Sequence, residues 1–185
     1  MYYDVTMAGF GGQGILLIGN LLAEAALAEG LHVTYLPSYG VEMRGGSANC
    51  TVVVSDQEIG SPAVGAPQAL IIMSRPALQR FQATLKPGGL LILNTSLLEV
   101  SEVTSPDAEL LAYPLNSIAL ELGHQRLANM VALGLYLGRT RAVSLESIEH
   151  GFEELLSEKN RAFIPQNIAA IQKGMALVEG RGGKP

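Results

Sequence analysis

Along the first hundred residues, short apolar runs alternate with stretches whose apolar positions recur every three or four residues. "YYDVTMAGF" (2–10) reads as a strand, and a glycine-rich turn follows it. Residues 15–29, "ILLIGNLLAEAALAE", place Leu, Ile and Ala at helical spacing, with Gly30 as the C-terminal cap. "LHVTYLP" (31–37) is a second strand, ended by Pro37, and the β-branched "NCTVVVS" (49–55) is a third. "QALIIM" (68–73) and "GLLILN" (89–94) are two more apolar runs. Between them "PALQRFQATL" (76–85) is a helix with Pro76 in its first turn and "KPGG" closing it. "AELLAYPL" (108–115) is a candidate edge strand.

From Asn116 onward the helical rhythm takes over. "SIALELGHQRLANMVALGLYLG" (117–138) reads as one long helix with Gly123 as the candidate break. "SLESIEHGFEELLSE" (144–158) starts with Ser144 as N-cap, and "PQNIAAIQKGMALVEG" (165–180) starts with Pro165. Strands alternating with helices predict an α/β fold with a largely parallel sheet. The step from the second strand to the third holds only loop signals, so that pair is expected to be antiparallel and the sheet mixed. The expectation is a three-layer α/β/α, Rossmann-like domain whose helical C-terminal third covers one face of the sheet. No internal repeat or linker divides residues 1–185, so a single domain is expected.

Composition narrows the function. The chain has 48% hydrophobic residues and a net charge of −5, with no basic cluster before the tail "GRGGKP". No nucleic-acid partner is therefore expected. No apolar stretch approaches the ~20 residues that span a bilayer, and "MYYDVTMAG" lacks signal-peptide features, so a cytoplasmic location with no membrane contact is expected. Cys50, the only cysteine, excludes a disulfide framework within one chain and an iron–sulfur cluster on four cysteines of its own. It opens an apolar strand and reads as a buried small hydrophobe. His32, His124 and His150 have no second ligand at metal spacing and read as structural; no metal site and no catalytic residue are expected on this chain. Asn129 and Asn167 lie on helices, where either can cap a neighbouring loop.

The chemistry-bearing stretches are two loops. "GFGGQGI" (9–15) fits G-x-G-x-x-G through Gly9, Gly11 and Gly14, with Gly12 as an extra. Such glycines permit a tight strand-to-helix turn and bring bare backbone N–H groups against an anion. Gln13 adds a polar side chain within the turn. The acid that would hold a nicotinamide dinucleotide's ribose at the end of the second strand is missing from "HVTYLPSYG" (32–40), and no Lys-Ser/Thr pair makes a P-loop. The second loop, "PSYGVEMRGGSANC" (37–50), is expected beside the first, at the carboxyl ends of the strands. Arg44, between flexible glycines, is a candidate phosphate or carboxylate clamp that Glu42 can orient.

"GFGGQGI", "PSYGVEMRGGSANCTVVVSDQEIGSPAV" and "LKPGGLLILNTS" together resemble the gamma subunits of the 2-oxoacid:ferredoxin oxidoreductases, along nearly the whole chain and most strongly over 5–95. The spacing resembles most the 2-oxoglutarate and branched-chain 2-oxoacid members, and Val41 stands where many members carry proline. The resemblance implies a subunit, not catalytic alone, of an enzyme that oxidatively decarboxylates a 2-oxoacid, 2-oxoglutarate first, to an acyl-CoA and reduces ferredoxin. It implies coenzyme A at or near this chain. It places thiamine diphosphate on alpha and beta partner subunits and iron–sulfur clusters elsewhere in the assembly, with a ferredoxin-like subunit or domain among the partners. The binding role is carried onto Gly9, Gly11, Gly12, Gln13 and Gly14, and onto Tyr39, Glu42, Arg44, Gly45 and Gly46. An isolated chain with apolar surface meant for partners is also a candidate homodimer. Two other readings stand beside this one: a stand-alone nucleotide-binding reductase, and a purely structural assembly module.

Overall fold

The structure is a computed structural model that describes residues 1–39 and 46–180. Its six strands are β1 (Tyr2–Phe10), β2 (His32–Tyr39), β3 (Ser47–Ser55), β4 (Ala69–Ile72), β5 (Leu90–Asn94) and β6 (Glu109–Tyr113). They form one sheet in the order β2-β3-β1-β4-β5-β6. β1, β4, β5 and β6 are parallel, while β3 runs antiparallel to both β1 and β2, so the sheet is mixed as expected. β4 and β5 are buried along their whole length, which is why they read as unbroken apolar runs and not as alternating ones.

The helices are α1 (Ile15–Ala28), α2 (Arg75–Phe81), α3 (Leu115–Glu121), α4 (Ala128–Thr140), α5 (Leu145–Leu155) and α6 (Ile164–Glu179). Val5, Met7, Cys50, Val52, Ile71 and Ile92 face a large core shared with α1, α3, α4, α5 and α6. Ala8, Leu70, Ile72, Leu91 and Leu93 face a smaller one closed by Ala77 and Leu78 of α2. The C-terminal helices therefore gather on one face, making the three-layer α/β/α arrangement. α4 and α6 touch backbone to backbone: a Cβ on Gly134 would run into the carbonyl oxygen of Ile171, and one on Gly174 into that of Val131.

Two boundaries differ from the sequence reading. β2 does not end at Pro37 but continues to Tyr39, with Pro37 opposite Cys50. β2 is an edge strand, and there a missing N–H costs no ladder bond. The helical stretch read over 117–138 starts earlier, at Leu115, and is divided into two helices at the candidate break, Gly123. Gly123, at φ 110°, turns the chain between them, and a short 3-10 turn, Gln125–Leu127, leads into α4.

Candidate functional site

β1 is followed by α1 on one face of the sheet, and β4 by α2 on the other. The chain therefore leaves the carboxyl ends of these two neighbouring parallel strands toward opposite faces, and such a crevice is where open α/β sheets place their ligands. Gln13 crosses that crevice. Its Oε1 accepts the N–H of Phe10 at 2.6 Å, and its Nε2 donates to the carbonyl of Met73 at 3.0 Å. A Cβ on Gly9 would meet Gln13 Oε1 and stand 3.0 Å from Met73 Cβ, so only glycine lets this strut seat. The Gln13 amide is thus engaged with main chain at the base of the crevice.

Above the strut the backbone is open. Gly14 is the N-cap of α1 in the left-handed region, φ 73°, and among the described residues no side chain caps the helix. The first-turn N–H groups, which a Ser or Asp cap would normally engage, have no such acceptor among the described residues. Gly12, at φ 96°, has nothing within 4 Å of a Cβ position. From α4, on the same face of the sheet, Asn129, 4% exposed, donates Nδ2 to the Gly14 carbonyl at 3.2 Å while its Oδ1 accepts the N–H of Met130 at 2.9 Å. The second loop reaches the first at its described end: Gly11 N–H donates to the Gly46 carbonyl at 2.8 Å. Tyr39 closes β2 opposite Ala48, and Glu42, Arg44 and Gly45 lie outside the described residues.

Two clefts flank the turn. The larger, about 530 Å³, runs from Gly12 and Gly14 to the start of α6, and the smaller, about 300 Å³, runs past Met73 to Asn116. Gly12, Gln13, His124 and Arg126 line both. His124 Nδ1 accepts the N–H of Arg126 at 3.0 Å, which places the ring proton of the neutral imidazole on Nε2. Asn116 is held by the buried Asn94, whose Nδ2 donates to Asn116 Oδ1 at 3.0 Å and whose Oδ1 accepts the N–H groups of Ser96 and Leu115, each at 3.1 Å.

His124 and Arg126 were not legible as site residues. Their one trace in the sequence is "GHQRLAN" (123–129), a polar insert at a helix break. Cys50 is buried as expected: its Sγ lies 3.7 Å from the carbonyl oxygen of Ile15, and burial pushes its thiol up to about 12, far from a reactive thiolate. Among the described residues no group of three or more His, Cys, Asp or Glu gathers to hold a metal ion. None of their helices is long and apolar enough to cross a membrane.

Residues 4–177 match the family model described as pyruvate ferredoxin/flavodoxin oxidoreductase. The chain belongs to that family. Within it, the domain is 39% identical over 172 residues to the ketoisovalerate oxidoreductase subunit VorA of Methanothermobacter marburgensis, covering 92% of this chain and 35% of VorA. It thus spans about a third of that relative's length. It is 35% identical over 184 residues to the 2-oxoglutarate synthase subunit KorC of the same organism, covering 96% of this chain and 97% of KorC. Among solved structures it is similar to the keto/oxoacid ferredoxin oxidoreductase gamma subunit of Geobacter sulfurreducens: TM-score 0.80, 31% identity, 96% of this chain and 99% of that one. This family domain therefore occurs both at the full length of a separate gamma subunit and within a longer chain.

Proposed function

We propose that the chain is the gamma-type subunit of a 2-oxoacid:ferredoxin oxidoreductase and that its carboxyl-edge site receives coenzyme A. The observation that carries this reading is the uncapped, left-handed start of α1 beside the second loop, joined by the Gly11–Gly46 hydrogen bond. Coenzyme A carries a pyrophosphate, and unspent N–H groups at a helix start suit its oxygens. Gly9, Gly11, Gly12 and Gly14 let backbone approach it, with Gln13 bracing the turn from below. Tyr39, Glu42, Arg44, Gly45 and Gly46 contribute from the second loop. One cysteine, and no metal-holding group of His, Cys, Asp or Glu among the described residues, support leaving thiamine diphosphate and the iron–sulfur clusters to alpha, beta and ferredoxin-like partners. Those groups supply the decarboxylation and electron transfer, while this chain binds and orients the acyl acceptor. Full-length similarity to KorC supports 2-oxoglutarate as the oxoacid, with branched-chain oxoacids and pyruvate next.

A tagged chain drawn from its native cells under anaerobic conditions tests this. The expected result is co-purification of thiamine-binding and ferredoxin-like subunits, and dye reduction that needs both CoA and one oxoacid. A chain that comes down alone, or a complex whose turnover ignores CoA, defeats the proposal.

A further inference from the structure

The passage from α3 to α4 rests on a histidine. His124, with the extended backbone of a cap at φ −157° and ψ 128°, is the N-cap of the 3-10 turn Gln125–Leu127. Its Nδ1 accepts the Arg126 N–H at 3.0 Å, the bond that a Ser, Asn or Asp oxygen makes in an ordinary cap. Within the turn the Leu127 N–H donates to the His124 carbonyl at 3.0 Å, and the buried Leu127 anchors the far end. The exposed side of the turn, Gln125 and Arg126, borders the smaller cleft, and His124 and Arg126 border the larger one too. An imidazole differs from those oxygens in one respect: it accepts on Nδ1 only while neutral, since the imidazolium carries a proton on each nitrogen. Protonation turns the acceptor of this cap into a donor pointed at the Arg126 N–H. No described carboxylate lines either cleft to hold a charged ring, and His124 has no ion pair among the described residues. The one other charged group lining them is Arg126, a like charge on the same turn. Leu17, Asn116, Asn129, Asn160 and Gln166, from α1, α3, α4, the 3-10 turn Glu158–Phe163 and α6, line the clefts without charge.

We propose that His124 is a proton-operated cap that regulates the carboxyl-edge site. Neutral, it holds the Gln125–Leu127 turn against the clefts it shares with Gly12 and Gln13; protonated, it releases the turn, and the site loses affinity. The cap stands on the His124–Arg126 hydrogen bond, and its consequence for affinity rests on the coenzyme A reading. Two substitutions separate capping from charge. Asn at this position sets Oδ1 where Nδ1 stands and caps at every pH, whereas Gln carries its amide one bond further out and caps at none.

The test follows the KM for CoA of the assembled complex from about pH 8 to 5.5, across the interval in which imidazole ordinarily changes charge. The wild-type value, divided by that of His124→Asn, should rise about three- to tenfold on acidification, while kcat moves less than about twofold. The division removes the titration of the ligand's own phosphate near pH 6. His124→Gln should show the raised KM at every pH. A ratio that stays flat overturns the proposal, and so does one that falls, since an imidazolium drawing in the phosphate would then outweigh the cap. Amide spectra of the full chain read the cap without CoA: the Arg126 N–H shift should titrate together with the His124 ring and lose that step in His124→Asn. An Arg126 amide that ignores the ring overturns the cap and leaves CoA dependence standing. Turnover that ignores CoA in the wild type overturns the underlying reading instead. Should the variants fail to assemble, the wild-type amide titration decides.

Discussion

The two ends of the parallel strands carry similar residue types put to opposite uses. At the amino ends, a cavity of about 370 Å³ is lined by Asp4, Lys86, Glu109, Tyr136 and Arg139. Its charges are answered from within the chain. Asp4, 3% exposed, accepts the Gln68 N–H at 2.6 Å, and Arg139 meets Glu109 at 2.6 Å. At the carboxyl ends, among the described residues, the start of α1 has no side-chain cap and Arg126 has no ion-pair partner. α4 serves both edges. It is about 20 Å long at 1.5 Å per residue, with Asn129 in its first turn against the glycine turn and Tyr136 and Arg139 toward the other cavity. The comparison teaches that charge and polarity alone do not mark a site. What distinguishes the carboxyl edge is hydrogen-bonding capacity that the described residues leave unspent.

The largest effect that would break this contrast is expected from Gly14→Ala. A Cβ there would meet the Asn129 amide and force an L residue into the left-handed region. The expected cost is about 3 kcal/mol, a fall in Tm of roughly 6–12 °C, together with a KM for CoA raised at least about tenfold. A thermal scan and a CoA titration of the complex check both, and retention of wild-type values would show that the turn needs no glycine at that point. Asn129→Ala comes next. It strips the donor from the Gly14 carbonyl and the acceptor from the Met130 N–H, for about 1–3 kcal/mol by chemical denaturation and a rise of a few-fold in the KM for CoA. A stability loss with no change in that KM would separate folding from ligand positioning.

The amino edge supplies the smaller tests. Burial raises the Asp4 carboxyl above its ordinary value, against the opposing Gln68 N–H, Tyr2 hydrogen bond and Lys86 charge. The folded chain therefore holds this proton more tightly than the unfolded one. The resulting contribution is favourable below the ordinary carboxylate range and is lost as pH rises through the raised value. Asp4→Asn should remove that part of the pH profile and leave the KM for CoA unchanged. A profile superimposable on the wild type would show that Asp4 does not titrate in this range. Least of all, Arg139→Ala breaks an ion pair whose side chains are 49% and 42% exposed, so denaturant unfolding should shift by about 0–1 kcal/mol with catalysis untouched. A KM change there would mean that the amino-edge cavity also takes a ligand.

Much of this molecule was legible from local pattern. The strand–turn–helix at 2–28, the antiparallel β2–β3 pair, the edge strand β6, Pro76 in the first turn of α2 and the cap at Ser144 depend on neighbours in sequence, and periodicity and turn chemistry report those. Pro37 was misjudged because whether proline ends a strand depends on which side of it faces a partner. Gln13 was read as a poised side chain, and only the fold showed its amide spanning two strand ends.

The sequence by itself therefore determined the α/β class, the two glycine loops and the family, since each is written in short spacings along the chain. The tertiary structure decided which polar groups are spent and which remain for a ligand. Asn129 bonds to a carbonyl 115 residues away, and Arg126, just past the break at Gly123, lines the same clefts as Gly12 and Gln13. Hydrogen bonds are satisfied in space, and their partners do not follow from distance along the chain.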